Sequence, residues 1–343
     1  MAIKIGIINV TGYAGAELAR LLYNHPEVEI ACVTGRSEAG KKLAEVFPHL
    51  AAIGLTIEPE IAAGIDFAFS ALPHAASAEA CAPLVRAGVP VVDISADFRI
   101  KDPAEYAEWY GVTHPAPDLL PDAIYGLPEL YRNRIKTAKL VANPGCYPES
   151  ALLGLAPAAK AGIISPDVIV DSKSGVSGAG RGLKLNLHLG ESAESVSAYS
   201  LDGHRHLPEI VQELAALSPS SQAPTVTFTP HLIPMTRGIL STCYATLAPG
   251  ANLDTGAVRE IYKQFYKGEP FVRVADSPPS TKQTRGANDC LVYPTVDGRT
   301  DRLVVISVLD NLVKGAAGQA IQNMNLMLGL PETMALTGLA VYP

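Results

Sequence analysis

Lys4-Ile5-Gly6-Ile7-Ile8-Asn9-Val10-Thr11-Gly12-Tyr13-Ala14-Gly15-Ala16-Glu17-Leu18 opens the chain, and its reading decides the fold. The apolar run over 4–9 has the texture of a buried strand, a glycine-containing turn follows, and the apolar spacing over 16–22 is that of a helix. A dinucleotide-binding fold needs glycines at such a turn, so that backbone can approach a pyrophosphate and the helix N-terminus can bind it. Thr11, Gly12, Tyr13, Ala14 and Gly15 are therefore candidate cofactor contacts. Asn9 stands where the G-x-x-G-x-x-G form has its first glycine, and asparagine tolerates left-handed backbone better than most residues. A tight turn without a ligand is the alternative that so short a motif leaves open.

Working outward, strands are expected over 27–34, 66–70, 89–94 and 139–142, with a helix over 75–87. Strands and helices alternating at this spacing predict an α/β architecture, a Rossmann-type doubly wound parallel sheet. Beyond Pro148 the texture changes. Strands over 168–172, 225–228, 240–247 and 303–309, with fewer helices between, predict a second α+β domain carrying a mixed or antiparallel sheet. The stretch 314–328 reads as a helix. At 343 residues the chain exceeds what one core usually serves, so two domains are expected.

Apolar residues make up 48% and charged residues 18%, enough to bury a core and too apolar for disorder. A formal charge of −7 disfavours nucleic acid and anionic membrane as partners and favours a small molecule. The N-terminal residues lack the basic and long apolar regions of a signal peptide, and no apolar run approaches the ~18 residues of a membrane span, which predicts a cytoplasmic protein. The five cysteines, an odd count without a C-x-x-C pair, indicate neither a disulfide framework nor a zinc site.

The second strand ends in Thr34-Gly35-Arg36-Ser37 rather than in an acidic residue, which offers a guanidinium and a hydroxyl to a 2′-phosphate and favours NADP over NAD. An ordinary surface arginine is the alternative. Cys32, Cys81 and Cys243 lie in apolar runs and read as small buried hydrophobes, and Cys290 is unassigned. Cys146 differs, because Asn143-Pro144-Gly145-Cys146-Tyr147-Pro148 is a rigid turn after a strand and Pro148 suits the first position of a helix running to 159. A thiol at a helix N-terminus is favoured as thiolate, although a cysteine that merely fits a turn has the same local sequence. Gly203-His204-Arg205-His206-Leu207-Pro208-Glu209 supplies a candidate acid/base in His204 or His206, with Glu209 to orient it. A metal reading is weaker, since His-x-His needs further ligands.

Taken together, these motifs resemble the N-acetyl-gamma-glutamyl-phosphate reductase family. The likeness runs from Gly12-Tyr13-Ala14-Gly15 through Ala71-Leu72-Pro73-His74, Asp93-Ile94-Ser95-Ala96-Asp97-Phe98-Arg99, Tyr125-Gly126-Leu127-Pro128-Glu129 and Asn143-Pro144-Gly145-Cys146-Tyr147-Pro148. It continues through Ser174-Gly175-Val176-Ser177-Gly178, His204-Arg205-His206, Pro230-His231-Leu232-Ile233-Pro234-Met235-Thr236-Arg237-Gly238 and Asp310-Asn311-Leu312-Val313-Lys314-Gly315. The resemblance implies an NADP-binding Rossmann domain over 1–146, completed by a C-terminal helix over 314–343, and an α+β substrate and oligomerisation domain over 147–313, in a homodimer or homotetramer. It implies Cys146 as the acylated nucleophile, with His204 favoured as its acid/base partner. Pro73, His74, Ser177, Gly178 and Asn311 join Arg36 and Ser37 as cofactor contacts. Asn9 and Glu149 depart from the family pattern, the latter standing where a small hydroxyl residue is usual.

The implied reaction is NADPH-dependent reduction of N-acetyl-glutamyl 5-phosphate to its semialdehyde and phosphate, through a thioester. An anionic substrate needs cations and donors near the thiol, for which Arg99, Asn143, Ser174, Gly175, Arg205 and Arg237 are the candidates, with Lys173, Arg181 and Ser177 behind them. Two alternatives stay in view: reduction of an aspartyl or aminoadipyl phosphate, and an NADP-binding protein that has lost catalysis.

Overall fold

The computed structural model describes residues 2–219 and 222–343, and the chain separates into two compact units. One comprises Met1–Gly145 with Ala316–Gly338, the other Cys146–Gly315 with Leu339–Pro343.

In the first unit β1 (Ile3–Ile8), β2 (Val28–Thr34), β3 (Ile57–Glu58), β4 (Phe67–Ser70), β5 (Val91–Asp93), β6 (Ile124–Tyr125) and β7 (Leu140–Ala142) form one sheet in the order β3-β2-β1-β4-β5-β7-β6. Every pairing is parallel. Ile5, Ile7, Phe67, Phe69, Val91 and Val92 have no exposure, which is why the strands read as continuous apolar runs rather than as alternations. Helices α1 (Tyr13–Leu22), α2 (Leu43–Val46), α3 (Ser77–Arg86), α4 (Pro103–Tyr110) and α5 (Pro128–Ile135) make the connections. β1 lies between β2 and β4, so the strand order reverses there and a crevice opens at the strands' carboxyl ends.

The C-terminal helix is shorter than the expected 314–343. Val313–Ala317 is a π turn in which Gly315 N–H donates to the Asp310 carbonyl, and the α-helix proper is Gly318–Met327. Gly329, left-handed at φ 69°, and Pro331 stop it. Gln319 and Asn323 both donate to the Gly126 carbonyl, which satisfies polar groups that would otherwise be costly to bury.

The second unit holds β8 (Ile164–Gly175), β9 (Ser197–Ala198), β10 (Thr225–Ile233), β11 (Ile239–Leu247), β12 (Val272–Val274), β13 (Cys290–Asp297) and β14 (Arg302–Leu309) in the order β12-β13-β14-β11-β8-β10-β9. β8 with β10 and β12 with β13 are parallel and the other pairs antiparallel, so the sheet is mixed. α6 (Cys146–Lys160), α8 (Leu207–Leu217) and α9 (Thr255–Phe265) pack against it, with the short α7 (Leu189–Ser192) in the long connection to β9. α6 is buried continuously from Tyr147 to Ala159, as a helix apolar on all sides must be. β13, whose first residue is the unassigned Cys290, and α9 were not expected from the sequence. β13 alternates buried and half-buried residues, a weaker signal than a continuous apolar run.

Candidate active site

In the first unit, the turn after β1 is built around Asn9, which adopts φ 64°. Its side-chain amide donates to the Ala71 carbonyl at 2.8 Å and accepts from Thr11 Oγ1 at 3.1 Å, tying the turn to the end of β4. The departure from glycine thus keeps the left-handed backbone and adds two bonds. Gly15 admits no other residue, because a Cβ there would lie 2.4 Å from the Asn9 carbonyl oxygen. No side chain caps the N-terminus of α1 at Gly12, so its N–H groups are available to an anion. A cavity of about 500 Å³ adjoins the turn, lined by Asn9, Thr34, Gly35, Arg36, Ser37 and Leu72 among others. Arg36 is exposed at its edge. These residues fit a dinucleotide with a 2′-phosphate.

Pro73 and His74 are exposed on the loop after β4, where Ala75 is left-handed at φ 65°. The loop is held from beneath by Asp97, fully buried, which accepts the N–H groups of Ala75, Ser77 and Ala78 and the Tyr106 hydroxyl. Asp93 beside it accepts from Ser77 Oγ and Ser95, and burial, with the Asp97 charge adding to it, pushes its pKa up to about 6. Arg99 donates to the carbonyls of Asn143 and Ile94, both at 2.7 Å. Asn143 has no exposure; its amide donates to the Ala316 carbonyl and accepts from Asn323. Arg99 and Asn143, both expected to bind substrate, are buried, and these hydrogen bonds hold the chain just before Cys146.

In the second unit Cys146 is the first residue of α6, which makes Pro148 the helix's third position rather than its first. Cys146 is partly exposed, whereas Cys32, Cys81, Cys243 and Cys290 are buried. Burial pushes the Cys243 thiol up to about 12 and raises that of Cys81 further. Gly315 lies hard against Cys146, since a Cβ there would sit 2.9 Å from Cys146 Cβ.

An aromatic box adjoins the thiol. The Tyr147 ring meets the rings of His204, His206 and Phe228 edge-on at 5.8, 5.9 and 5.4 Å, and Tyr199 meets His204 at 5.6 Å. The Tyr199 hydroxyl donates to that of Tyr147, which donates to the His231 carbonyl. Burial raises both phenols, Tyr199 to about 12, and the charge of Cys146 adds to each. Sequence reading missed the box because Tyr199 and Phe228 stand in unrelated stretches that only the pairing of β9 with β10 brings near His204.

His204 Nδ1 accepts the backbone N–H of His206 at 3.1 Å, so the neutral ring carries its proton on Nε2. Burial, with the Arg205 guanidinium adding to it, pushes its pKa down to about 4, leaving the ring uncharged at neutral pH. Glu209 is buried in the first turn of α8; the group that orients Nδ1 is the His206 backbone. Arg205 is exposed beside the box.

At the end of β8, Gly175 N–H donates to Gly238 O and Ser177 N–H to Thr236 O, so these two backbone donors, expected to serve a phosphate, meet backbone carbonyls. A Cβ at Gly175 would meet Thr236 O at 2.7 Å, so glycine is needed for the turn between β10 and β11 to approach the end of β8. Asn311 accepts from Gly238 N–H and donates to Ser177 Oγ, joining three segments that the sequence assigned separately to the cofactor and the substrate. Ser174 Oγ donates to the Gly175 carbonyl, and Gly178 is exposed. Arg237 Nη1 lies 3.7 Å from Asp310 Oδ2. Lys173 pairs with Asp171 on the sheet face away from α6. Glu149 is fully buried, 3.8 Å from Lys314 Nζ.

Two family models cover the chain: "Semialdehyde dehydrogenase, NAD binding domain" matches residues 4–138 and "Semialdehyde dehydrogenase, dimerisation domain" residues 146–311. An N-acetyl-gamma-glutamyl-phosphate reductase of Dehalococcoides mccartyi is 57% identical over 340 residues, 99% of either chain. One from Pelotomaculum thermopropionicum is 52% identical over 351 residues, the full length of both. Among solved structures, aspartate semialdehyde dehydrogenase of Candida albicans with NADP aligns with TM-score 0.73 at 16% identity, over 96% of this chain and 99% of that one. Aspartate semialdehyde dehydrogenase II of Vibrio cholerae complexed with ASA aligns with TM-score 0.71 at 19% identity and the same coverage. At such identity these two show the fold alone.

Proposed function

The chain belongs to the semialdehyde dehydrogenase family, among its N-acetyl-gamma-glutamyl-phosphate reductases, and from that premise we propose the following assignment of cofactor, residues and assembly. The enzyme reduces N-acetyl-glutamyl 5-phosphate to N-acetyl-glutamate 5-semialdehyde, a step of arginine biosynthesis. NADP(H) is the cofactor: the uncapped α1 N-terminus and the turn from Thr11 to Gly15 take its pyrophosphate, and Arg36 with Ser37 its 2′-phosphate. When bound, it supplies the hydride that reduces the thioester carbon.

The observation that carries the assignment is Cys146, the one partly exposed thiol of five, at the N-terminus of a buried helix. There the helix dipole favours the thiolate, which attacks the acyl carbonyl, expels phosphate and becomes the thioester. After reduction the thiohemiacetal collapses to aldehyde and regenerates the thiolate. The carbonyl oxygen bears negative charge at both tetrahedral stages. His204, neutral with its proton on Nε2, acts there as a hydrogen-bond donor. The family resemblance makes it an acid and base; the occupied Nδ1 favours the donor role, because an imidazole can take a second proton only where a nitrogen lone pair is free. Arg205 and Arg237 hold the substrate's anionic groups.

No helix of the described residues is long and apolar enough to cross a membrane. Free cysteines throughout suit the reducing cytoplasm as the place of work. The face of the second sheet opposite α6 carries Ile169, Leu240, Tyr244, Leu291, Tyr293 and Ile306 partly exposed, an apolar surface suited to a second copy in a homodimer or homotetramer. The test of the function is the reverse reaction. N-acetyl-glutamate semialdehyde, phosphate and NADP should produce NADPH absorbance, whereas aspartate semialdehyde in its place should not; turnover of aspartate semialdehyde alone would reject the assignment.

A further inference from the structure

The wall behind Cys146 contains two charges that the reaction does not use. Glu149 follows Cys146 by one turn of α6, a spacing at which side chains are neighbours with Cβ atoms about 5–6 Å apart. Lys314 immediately precedes Gly315, the residue in contact with Cys146 Cβ. Neither Lys314 nor Glu149 has any exposed side-chain surface, and Nζ lies 3.8 Å from Oε1 and 5.7 Å from the centre of the Phe271 ring. Glu149 thus places a carboxyl group one turn from a group that must become an anion.

A buried carboxylate so near would oppose thiolate formation if it stood alone, and an unpaired buried charge is itself expensive. We propose that Lys314 is a positioning residue for the nucleophile: its ammonium closes a pair with Glu149 that cancels the negative charge one turn from Cys146 and keeps the thiol ionisable at neutral pH. The inference rests on reading Cys146 as the nucleophile.

The other titratable groups near the thiol have their own settings. Tyr147 and Tyr199 are raised and stay protonated, His204 is lowered and stays neutral, and Arg237 faces Asp310. His206 and Glu209 approach from the α8 side, and Asp289 is near enough to Lys314 for the ammonium to draw its pKa down against the larger effect of burial. None of them matches the Lys314–Glu149 pair, in which two titratable groups of opposite charge type have no exposed side-chain surface and lie 3.8 Å apart.

The experiment measures the rate of Cys146 alkylation by iodoacetamide as a function of pH in the full-length enzyme, by mass spectrometry. Lys314→Met should raise the midpoint by about one unit or more, Glu149→Gln should lower it, and the double variant should return to the wild-type value. A pair that only fills space would leave all three midpoints in place. An unmoved midpoint in Lys314→Met, a rise in Glu149→Gln, or a double variant shifted as far as Lys314→Met overturns the proposal. If Lys314→Met does not fold, Glu149→Gln decides, and a midpoint that fails to fall is fatal. Alkylation reads the thiol and not turnover, so these outcomes are separate from the nucleophile reading, which fails instead if Cys146→Ser remains active.

Discussion

Gly315→Ala is the substitution for which the structure gives the most definite consequence. The added Cβ would lie 2.9 Å from Cys146 Cβ, 3.1 Å from Leu309 Cδ1 and 3.4 Å from the Asp310 carbonyl oxygen. Carbon atoms rest about 3.5–4.0 Å apart, so the contact must open by roughly half an ångström to one ångström. Leu309 can turn aside, but Asp310 cannot: its carboxylate accepts the N–H groups of Gly286, Leu312 and Val313, which fixes the backbone of the turn. The displacement therefore falls on Cys146. Overpacking costs about 1–3 kcal/mol, offset by up to about 1 kcal/mol from replacing glycine within a helical turn, so Tm should fall only modestly. The chemical step should suffer more, because a misplacement near 1 Å costs on the order of 10²-fold. Single-turnover phosphate release measures this step, with NADPH affinity by fluorescence as the control, expected unchanged. Gly154→Ala, on the helix that Cys146 begins, is the internal comparison: its Cβ would meet Ser307 Cβ at 3.5 Å, an ordinary contact, and should be tolerated. Acylation by Gly315→Ala within about threefold of wild type, some 0.6 kcal/mol in barrier, would refute the argument that the turn positions the thiol.

Cys146→Ser should abolish reduction while leaving NADPH binding intact, since a hydroxyl is not ionised at neutral pH; a tenth of wild-type turnover, on the order of 1.4 kcal/mol in barrier, would already be too much. Arg36→Ala should weaken the preference for NADPH over NADH by about 1.5–3 kcal/mol, read from the ratio of kcat/KM values, and a wild type indifferent to the two cofactors would contradict the assignment. His204→Ala, which removes the Nε2–H donor, should lose roughly 10²-fold or more in the single-turnover chemical step and His206→Ala less. If both keep near-normal chemistry, the oxyanion donor lies elsewhere. The His204 pKa is depressed from 6.5 to about 4 on folding, so its contribution to stability is present above pH 6.5 and is lost as the pH falls toward 4. Tm followed across that window should therefore decline less steeply in His204→Asn than in wild type, and parallel curves would show that the ring is not buried neutral.

Sequence alone determined the parallel sheet, because strands buried on both faces must be apolar throughout and the glycines of the first turn serve backbone geometry rather than a distant partner. It also singled out Cys146 among the five cysteines as the one at a strand-to-helix turn, since the turn, the strand before it and the helix after it are contiguous. That Arg99, Asn143 and Gly175 donate to backbone carbonyls was not legible: composition shows that a residue can bind an anion but not which backbone groups its donors meet in the fold. The extent of the C-terminal helix, the aromatic box around His204, the histidine's tautomer and the Lys314–Glu149 pair were likewise decided only in three dimensions. Glu149 and Lys314 are 165 positions apart (314 − 149), and His204 lies in the connection before α8 whereas Phe228 is on β10. Local periodicity reaches only a few residues along the chain, whereas burial, and with it the charge state and partner of every polar group, is set by which distant segments the sheet brings side by side.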